Sequence, residues 1–259
     1  MPYLSVQSQR LHYGEHREDL QHQRIPLVLV HGAGMNMMNW PPGLRRLPDH
    51  DIYALDLPGH GRSQGPGRDS IGAYVEVLSA WATAMQLPAF VLAGHSMGGA
   101  IALQFALRYP SRLAGLVLVA TDARLRVAPA ILANVRTEPS LVAAQLVEWV
   151  HGPRAGQEQK RQYLRHLQAV DLDVFYGDWV ACNAFDVREQ LPDCQTPTLI
   201  LAGTLDVMTP PRTATYLAEH IAGADLTWFE GAGHMLMLEQ SEPVIGAMVG
   251  FMDRLRRVS

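Results

Sequence analysis

The sequence predicts an α/β fold: a mostly parallel central sheet with helices on both faces and an inserted helical cap. Short, continuously apolar runs recur at residues 26–30, 51–55, 89–93, 116–120, 198–202 and 225–229, each bounded by Gly, Pro or Asp. Helix-like stretches lie between them, at 70–85, 98–109, 211–221 and 242–257. One connection, residues 121–197, is several times longer than the dozen or so residues a crossover needs.

Each element follows from its pattern. Continuous apolar runs, rather than alternating ones, suit strands covered on both faces. Strands alternating with helices imply parallel pairing with right-handed crossovers. The segment before Gln23 reads as one or two antiparallel edge strands. The long connection carries amphipathic patterns of its own at 141–150 and 159–170. A structureless loop of that length is improbable inside a compact domain. The expected division is therefore a core of residues 1–120 and 195–259, interrupted by a helical cap over 121–194.

Composition narrows the function classes. A chain of 259 residues, 48% hydrophobic, can bury a sizeable core. Charged residues make up 18% and the formal net charge is -4, which gives no electrostatic reason to expect nucleic acid or an anionic membrane as partner. Cys182 and Cys194 are too few for a disulfide framework and lack metal-type spacing. They read as free thiols in a reducing compartment, with a single disulfide as the alternative. No positive stretch followed by an apolar one opens the chain, so no signal peptide is read. The longest apolar runs are strand-sized, too short to span a bilayer. The expectation is a soluble cytoplasmic protein, monomer or homodimer, acting on a small molecule. No histidine–carboxylate cluster has ligand spacing, so neither metal nor cofactor is expected.

The strongest chemical signal is Gly94-His95-Ser96-Met97-Gly98-Gly99, with a strand before it and a helix after it. A nucleophilic serine on a tight strand-to-helix turn needs neighbours that are nearly free of side chain, and the glycines two residues away on each side supply that. The turn also aims the N–H groups of the helix start at a reacting carbonyl. A serine nucleophile needs a base, and His234, in Gly231-Ala232-Gly233-His234, follows the last strand at the carboxyl edge of the sheet. Among eleven histidines its position selects it. The base needs an orienting carboxylate. Asp206 follows the strand at 198–202, and Asp122, directly after the strand at 116–120, is the competitor. His31-Gly32-Ala33-Gly34 is a glycine-bracketed turn after the first parallel strand. It can offer the N–H of Ala33, alongside that of Met97, to a developing oxyanion. The side chains of His31 and His95 read as braces.

Taken together, these segments resemble the α/β-hydrolase superfamily, in the group with a single helical cap. The resemblance rests on His31-Gly32-Ala33-Gly34, Asp56-Leu57-Pro58-Gly59-His60-Gly61-Arg62-Ser63, Gly94-His95-Ser96-Met97-Gly98-Gly99, Gly203-Thr204-Leu205-Asp206 and Gly233-His234, matched in order and spacing across the core on both sides of the cap. It implies the chain order Ser96, Asp206, His234 for nucleophile, acid and base, which favours Asp206 over Asp122. It also implies that Asp56 and His60 brace a structural turn. Relatives that open epoxides or haloalkanes carry an Asp nucleophile, and dienelactone hydrolases a Cys. Ser96 points instead to acyl chemistry, to hydrolysis of carbon–carbon bonds beside a carbonyl, or to cofactor-free perhydrolysis.

Substrate identity is expected to lie in the cap and in soft side chains around the turns. Met35, Trp40, Met208 and Met235, with the cap residues Trp149 and Trp179, are the expected pocket. Met37 and Met38 are as readily core. Arg124 and Arg126, just inside the cap, could meet a substrate carboxylate but read more simply as solvated helix-start residues. The leading expectation is hydrolysis of small, fairly apolar esters or lactones. The alternatives are a carbon–carbon bond hydrolase for ring-cleavage diketo acids, and a ligand-binding receptor that retains the triad.

Overall fold

The computed structural model describes residues 2–17, 24–153 and 155–258. Its chain opens with β1 (Tyr3–Val6) and β2 (Gln9–His16), an antiparallel pair at the edge of the sheet. The rest of the segment expected to carry edge strands, residues 18–23, lies outside the described residues. The six apolar runs become β3 (Leu27–Val30), β4 (Ile52–Leu55), β5 (Phe90–His95), β6 (Leu113–Val119), β7 (Thr198–Gly203) and β8 (Asp225–Phe229). All eight strands form one sheet in the order β1-β2-β4-β3-β5-β6-β7-β8, and every pairing from β4 to β8 is parallel.

The burial pattern explains the continuous apolar runs. Every residue of β3, β4, β5 and β7 is buried, because layers cover both faces. A short α1 (Pro42–Arg45) follows β3, then come α2 (Ile71–Ala84) and α3 (Met97–Arg108), the latter packing on β5 and β6. Ser70 caps α2 by accepting the Ala73 N–H, as a serine before a helical run is suited to do.

Among the described residues, four α-helices stand between β6 and β7: α4 (Pro129–Asn134), α5 (Pro139–Val150), α6 (Gln157–Gln168) and α7 (Leu172–Ala184). Proline at the first turn starts α4 and α5, and Asp171 caps α7 by accepting from Asp173 and Val174 N–H. The two ends of this insertion touch. Arg124 and Asp186 form an isolated antiparallel bridge, and Val187 N–H donates to Ala123 O at 2.9 Å. The insertion therefore leaves and re-enters the core through one narrow neck. Beyond it, α8 (Pro211–His220), a short α9 (Leu236–Glu239) and α10 (Ser241–Val258) complete the chain. No described helix is long and apolar enough to cross a membrane.

The turn from β5 to α3 is the tightest junction. Ser96, its only residue, has φ 54° and ψ −117°, a region that side-chain-bearing residues rarely occupy. A methyl group on Gly98 would run into the carbonyl oxygens of Val30 and His31, and one on Gly94 into the backbone of Gly98. These obstacles are backbone and cannot rotate away. Gly98→Ala should therefore destabilise the fold by roughly 3 kcal/mol, the upper end for overpacking. Urea unfolding would measure this, and an unchanged midpoint would show that the junction can relax.

Candidate active site

Ser96 is held from both sides of its peptide. Its N–H donates to Val119 O at 2.9 Å, and Thr121 Oγ1 donates to its carbonyl at 2.8 Å. The turn after β3 lies against it, since a Cβ built on Gly32 would come within 3.3 Å of Ser96 Cβ. That turn is closed by Met35 N–H donating to Gly32 O at 3.2 Å, and it carries Ala33. Met97 begins α3, so its N–H belongs to the first turn, where backbone donors have no partner within the helix.

His234 follows β8 on a short loop. Gly233 N–H donates to Glu239 Oε2 at 2.9 Å and Met235 N–H to Val150 O at 3.1 Å, so the loop is tied to both core and cap. His234 Nδ1 lies 2.8 Å from Asp206 Oδ2. Asp206 Oδ1 accepts the N–H groups of Met208 (2.8 Å) and Thr209 (3.0 Å), and Oδ2 accepts Thr209 Oγ1 at 2.7 Å. Burial works to raise the Asp206 pKa, but the adjacent His234 and these donors hold it below the ordinary carboxylate value. An ionised carboxylate only accepts, so His234 Nδ1 donates to Asp206, and Nε2 is the ring nitrogen left for another partner. The carboxylate beside His234 is thus that of Asp206. Asp122, whose pKa burial raises, lines the cavity a few residues along.

Two further histidines are neutral braces. His95 Nε2 donates to His234 O at 3.0 Å, with the rings 4.8 Å apart. Burial, and then the neighbouring His234, lower its pKa to about 3. His31 donates from Nδ1 to Gly32 O (2.8 Å) and accepts Leu57 N–H at Nε2 (3.0 Å), an arrangement that only the neutral ring can make. Asp56 joins β2 to the turns by accepting from His12 Nδ1 (2.7 Å), Met37 N–H (2.8 Å) and Arg62 N–H (3.0 Å).

A second buried cluster joins the helices inserted between β6 and β7 to the sheet core. Asp178 of α7 has no exposed surface. Its Oδ2 accepts Gly34 N–H at 2.7 Å and His60 Nε2 at 2.8 Å, and its Oδ1 accepts the Tyr74 hydroxyl at 2.6 Å. His60 therefore touches both the bracing turn and the cap. From α6, His166 Nε2 donates to Gly34 O at 2.8 Å.

Ser96 and His234 line one cavity of about 540 Å³. Met208 and Trp179, expected in the pocket, line it too, together with Cys182. The other expected pocket residues are elsewhere. Trp40 is fully buried and Met35 nearly so, both in the core, because the chain turns inward after the turn at Gly32–Gly34. Met235 lines a separate, smaller hollow with Tyr163 and His166, and Trp149 is half-buried against the core. Met37 is core, its sulfur against Gly14, whereas Met38 is exposed. The two cysteines are free and buried. Arg124 and Arg126 do line the cavity, and Arg188 and Arg212, which sequence reasoning did not single out, line it with them. Thr209 was legible in principle, since a threonine three residues after an aspartate often closes a local side-chain turn. Asp178 and His166 gave no local signal.

A sequence model described as the Alpha/beta hydrolase family matches residues 27–247. The chain belongs to that family. It is an esterase-like member, similar to the pimeloyl-[acyl-carrier protein] methyl ester esterase of Yersinia enterocolitica, 30% identical over 241 residues covering 87% of this chain and 92% of the relative. It is also similar to the protein of the same name from Serratia marcescens, 32% identical over 206 residues covering 74% and 79%. Among solved structures, a thermophilic esterase superposes with a TM-score of 0.86 at 27% identity, covering 98% of this chain and 97% of that one. The enol-lactonase from Burkholderia xenovorans LB400 shares the fold, with a TM-score of 0.88 at 24% identity over 97% of this chain and all of that one.

The neutral state of His95 has a consequence for this hydrolase. Unfolded, His95 takes a proton near 6.5; folded, it resists protonation down to about 3. Between those values the unfolded state binds more protons, so stability falls on acidification across that window. His95→Gln, which can still donate to His234 O, should lose less melting temperature between pH 7 and pH 4 than the parent. An equal acid loss in the two proteins would count against a buried neutral His95.

Proposed function

We propose that this protein hydrolyses carboxylic esters through an acyl-enzyme on Ser96, with His234 as general base and Asp206 as its orienting acid. The observation that carries this reading is the 2.8 Å contact of His234 Nδ1 with Asp206, beside a cavity that Ser96 and His234 both line. Ser96 Oγ attacks the ester carbonyl carbon as its proton passes to His234 Nε2. The N–H groups of Ala33 and Met97 are the donors for the tetrahedral oxyanion. Collapse expels the alcohol, which takes the proton from His234. A water, deprotonated by the same nitrogen, then frees the acid and regenerates Ser96.

The cap, which we assign to residues 121–194, supplies the substrate's surroundings. Met208, Trp179 and Cys182 give the cavity apolar walls suited to a short or medium acyl chain. Arg124, Arg126, Arg188 and Arg212 line it as well. Asp186, outside this lining, pairs with Arg124 (3.5 Å) and Arg188 (2.7 Å), and Asp122 is the carboxylate within it. Four cations against two carboxylates give a positive lining in a chain whose net charge is -4. The favoured substrate class is therefore an ester with an apolar middle and an anionic group at its far end. The methyl ester of a carrier-bound pimeloyl chain, named for the relatives, presents an ester on such a chain and is a candidate. The same arginines favour one second reading, carbon–carbon hydrolysis of a diketo acid held by its carboxylate, which turnover of such an acid in place of esters would establish.

Ser96→Ala should abolish ester hydrolysis while leaving the fold intact, and residual turnover above background would remove the nucleophile assignment. Asp206→Asn should cut kcat by about 10³- to 10⁴-fold through loss of the correct imidazole tautomer, and Asp122→Asn far less. The reverse order would transfer the acid's role to Asp122. Arg126→Ala with Arg212→Ala should raise KM for a methyl ester ending in a carboxylate and leave the matching neutral ester unchanged. Equal effects on both esters would exclude charge recognition by these residues.

A further inference from the structure

We propose that Asp178 is a positioning residue: through its hydrogen bond to Gly34 N–H, the cap sets the geometry of the oxyanion turn. The inference rests on the esterase reading above, with Ala33 as one oxyanion donor.

Gly34 directly follows Ala33, and the cap grips it from two helices. Asp178 Oδ2 on α7 accepts its N–H at 2.7 Å, and His166 Nε2 on α6 donates to its carbonyl at 2.8 Å. His166 Nδ1 faces the amide nitrogen of Asn36 at 3.4 Å, so it accepts there and the ring's one proton is on Nε2, toward Gly34. The N–H and C=O of Gly34 belong to the two peptide groups that follow Ala33. Fixing both leaves the turn only the orientation set by the Met35-to-Gly32 bond behind it. Phe175 of α7 closes the remaining side. Gly34 has φ 62°, and a Cβ there would enter the Phe175 ring.

Every group that meets this carboxylate turns a donor toward it. His60 Nδ1 faces Pro58 O at 2.9 Å while its Nε2 faces Asp178 at 2.8 Å. Both neighbours are acceptors, so both ring nitrogens carry protons. The Tyr74 hydroxyl accepts Arg68 N–H at 3.0 Å and donates its own proton to Asp178, which leaves the carboxylate only donors to meet. Burial works to lower the His60 pKa, but the charge and hydrogen bond of Asp178 raise it overall. The fully buried His60–Asp178 pair thus spans from the core turn to the cap, with the oxyanion turn hydrogen-bonded to the same oxygen. Docking alone would need no bond to Gly34.

The test compares two inhibitors. A trifluoromethyl ketone matched to the preferred ester forms a tetrahedral oxyanion adduct with the serine, whereas the corresponding methyl ketone binds as an unreacted carbonyl. In Asp178→Asn, kcat should fall by about 10- to 100-fold, as expected when an oxyanion donor is misplaced, with KM nearly unchanged. Affinity for the trifluoromethyl ketone should fall by the same factor and that for the methyl ketone should hold. His166→Leu, at a half-buried site, should show the same pattern at roughly 3- to 10-fold, and His166→Gln, which restores a donor, should recover most of it. It carries the test should Asp178→Asn not fold. Folded variants with unchanged kcat, or with both ketones weakened equally, would overturn the positioning role while leaving the esterase reading in place. Ester hydrolysis by the parent protein that survives Ser96→Ala would overturn both together.

Discussion

The left-handed backbone at Ser96 is the constraint from which the site follows. A non-glycine residue held at φ 54° and ψ −117° costs on the order of 1–3 kcal/mol, and it persists only where the surroundings over-determine it. Here Val119 O and Thr121 Oγ1 fix its two peptide groups. Close approach of α3 to β3 is permitted because Gly98 presents no side chain to Val30 and His31. The result turns the serine out of the sheet at the carboxyl edge, where the loops after β3, β7 and β8 all end. Ser96, Asp206, His234 and the turn at Gly32–Gly34 come together because the parallel strands deliver them to one edge.

The cap adds a second constraint of a different kind. A buried ion pair stabilises little in net terms, because desolvation offsets most of the attraction, but removing one partner costs about 3–5 kcal/mol. The His60–Asp178 pair therefore acts as a lock more than as a stabiliser. It makes one docked position of α7 far better than any other, and that position is the one in which Asp178 also meets Gly34. The neck formed by Arg124 with Asp186 and by Val187 with Ala123 limits how far the insertion can swing.

What the sequence made legible was whatever is encoded locally. Continuous apolar runs located the parallel strands, because double-sided burial leaves no polar alternation. The glycine-flanked serine, the glycine-bracketed turn and the loops carrying Asp206 and His234 could be placed because each directly follows a strand. The pocket was less legible. Proximity in sequence to the oxyanion turn suggested Met35 and Trp40, yet a side chain's direction is decided by packing several residues later, and both point into the core. Trp179 and Trp149 were indistinguishable as cap aromatics, and only the folded cap separates the one lining the cavity from the one that does not. Asp178 was invisible for the same reason: its partners Gly34, His60 and Tyr74 lie more than a hundred residues away.

The proposed function stands or falls with Ser96 as the group that attacks the acyl carbon. Its most direct measurement is reaction of the native protein with a fluorophosphonate, followed by peptide mapping and an activity assay on the same sample. One phosphonyl adduct per chain is expected, on the peptide carrying Ser96, formed in step with complete loss of ester hydrolysis. Full inactivation with the adduct on any other residue, or full labelling of Ser96 with hydrolysis intact, would contradict it.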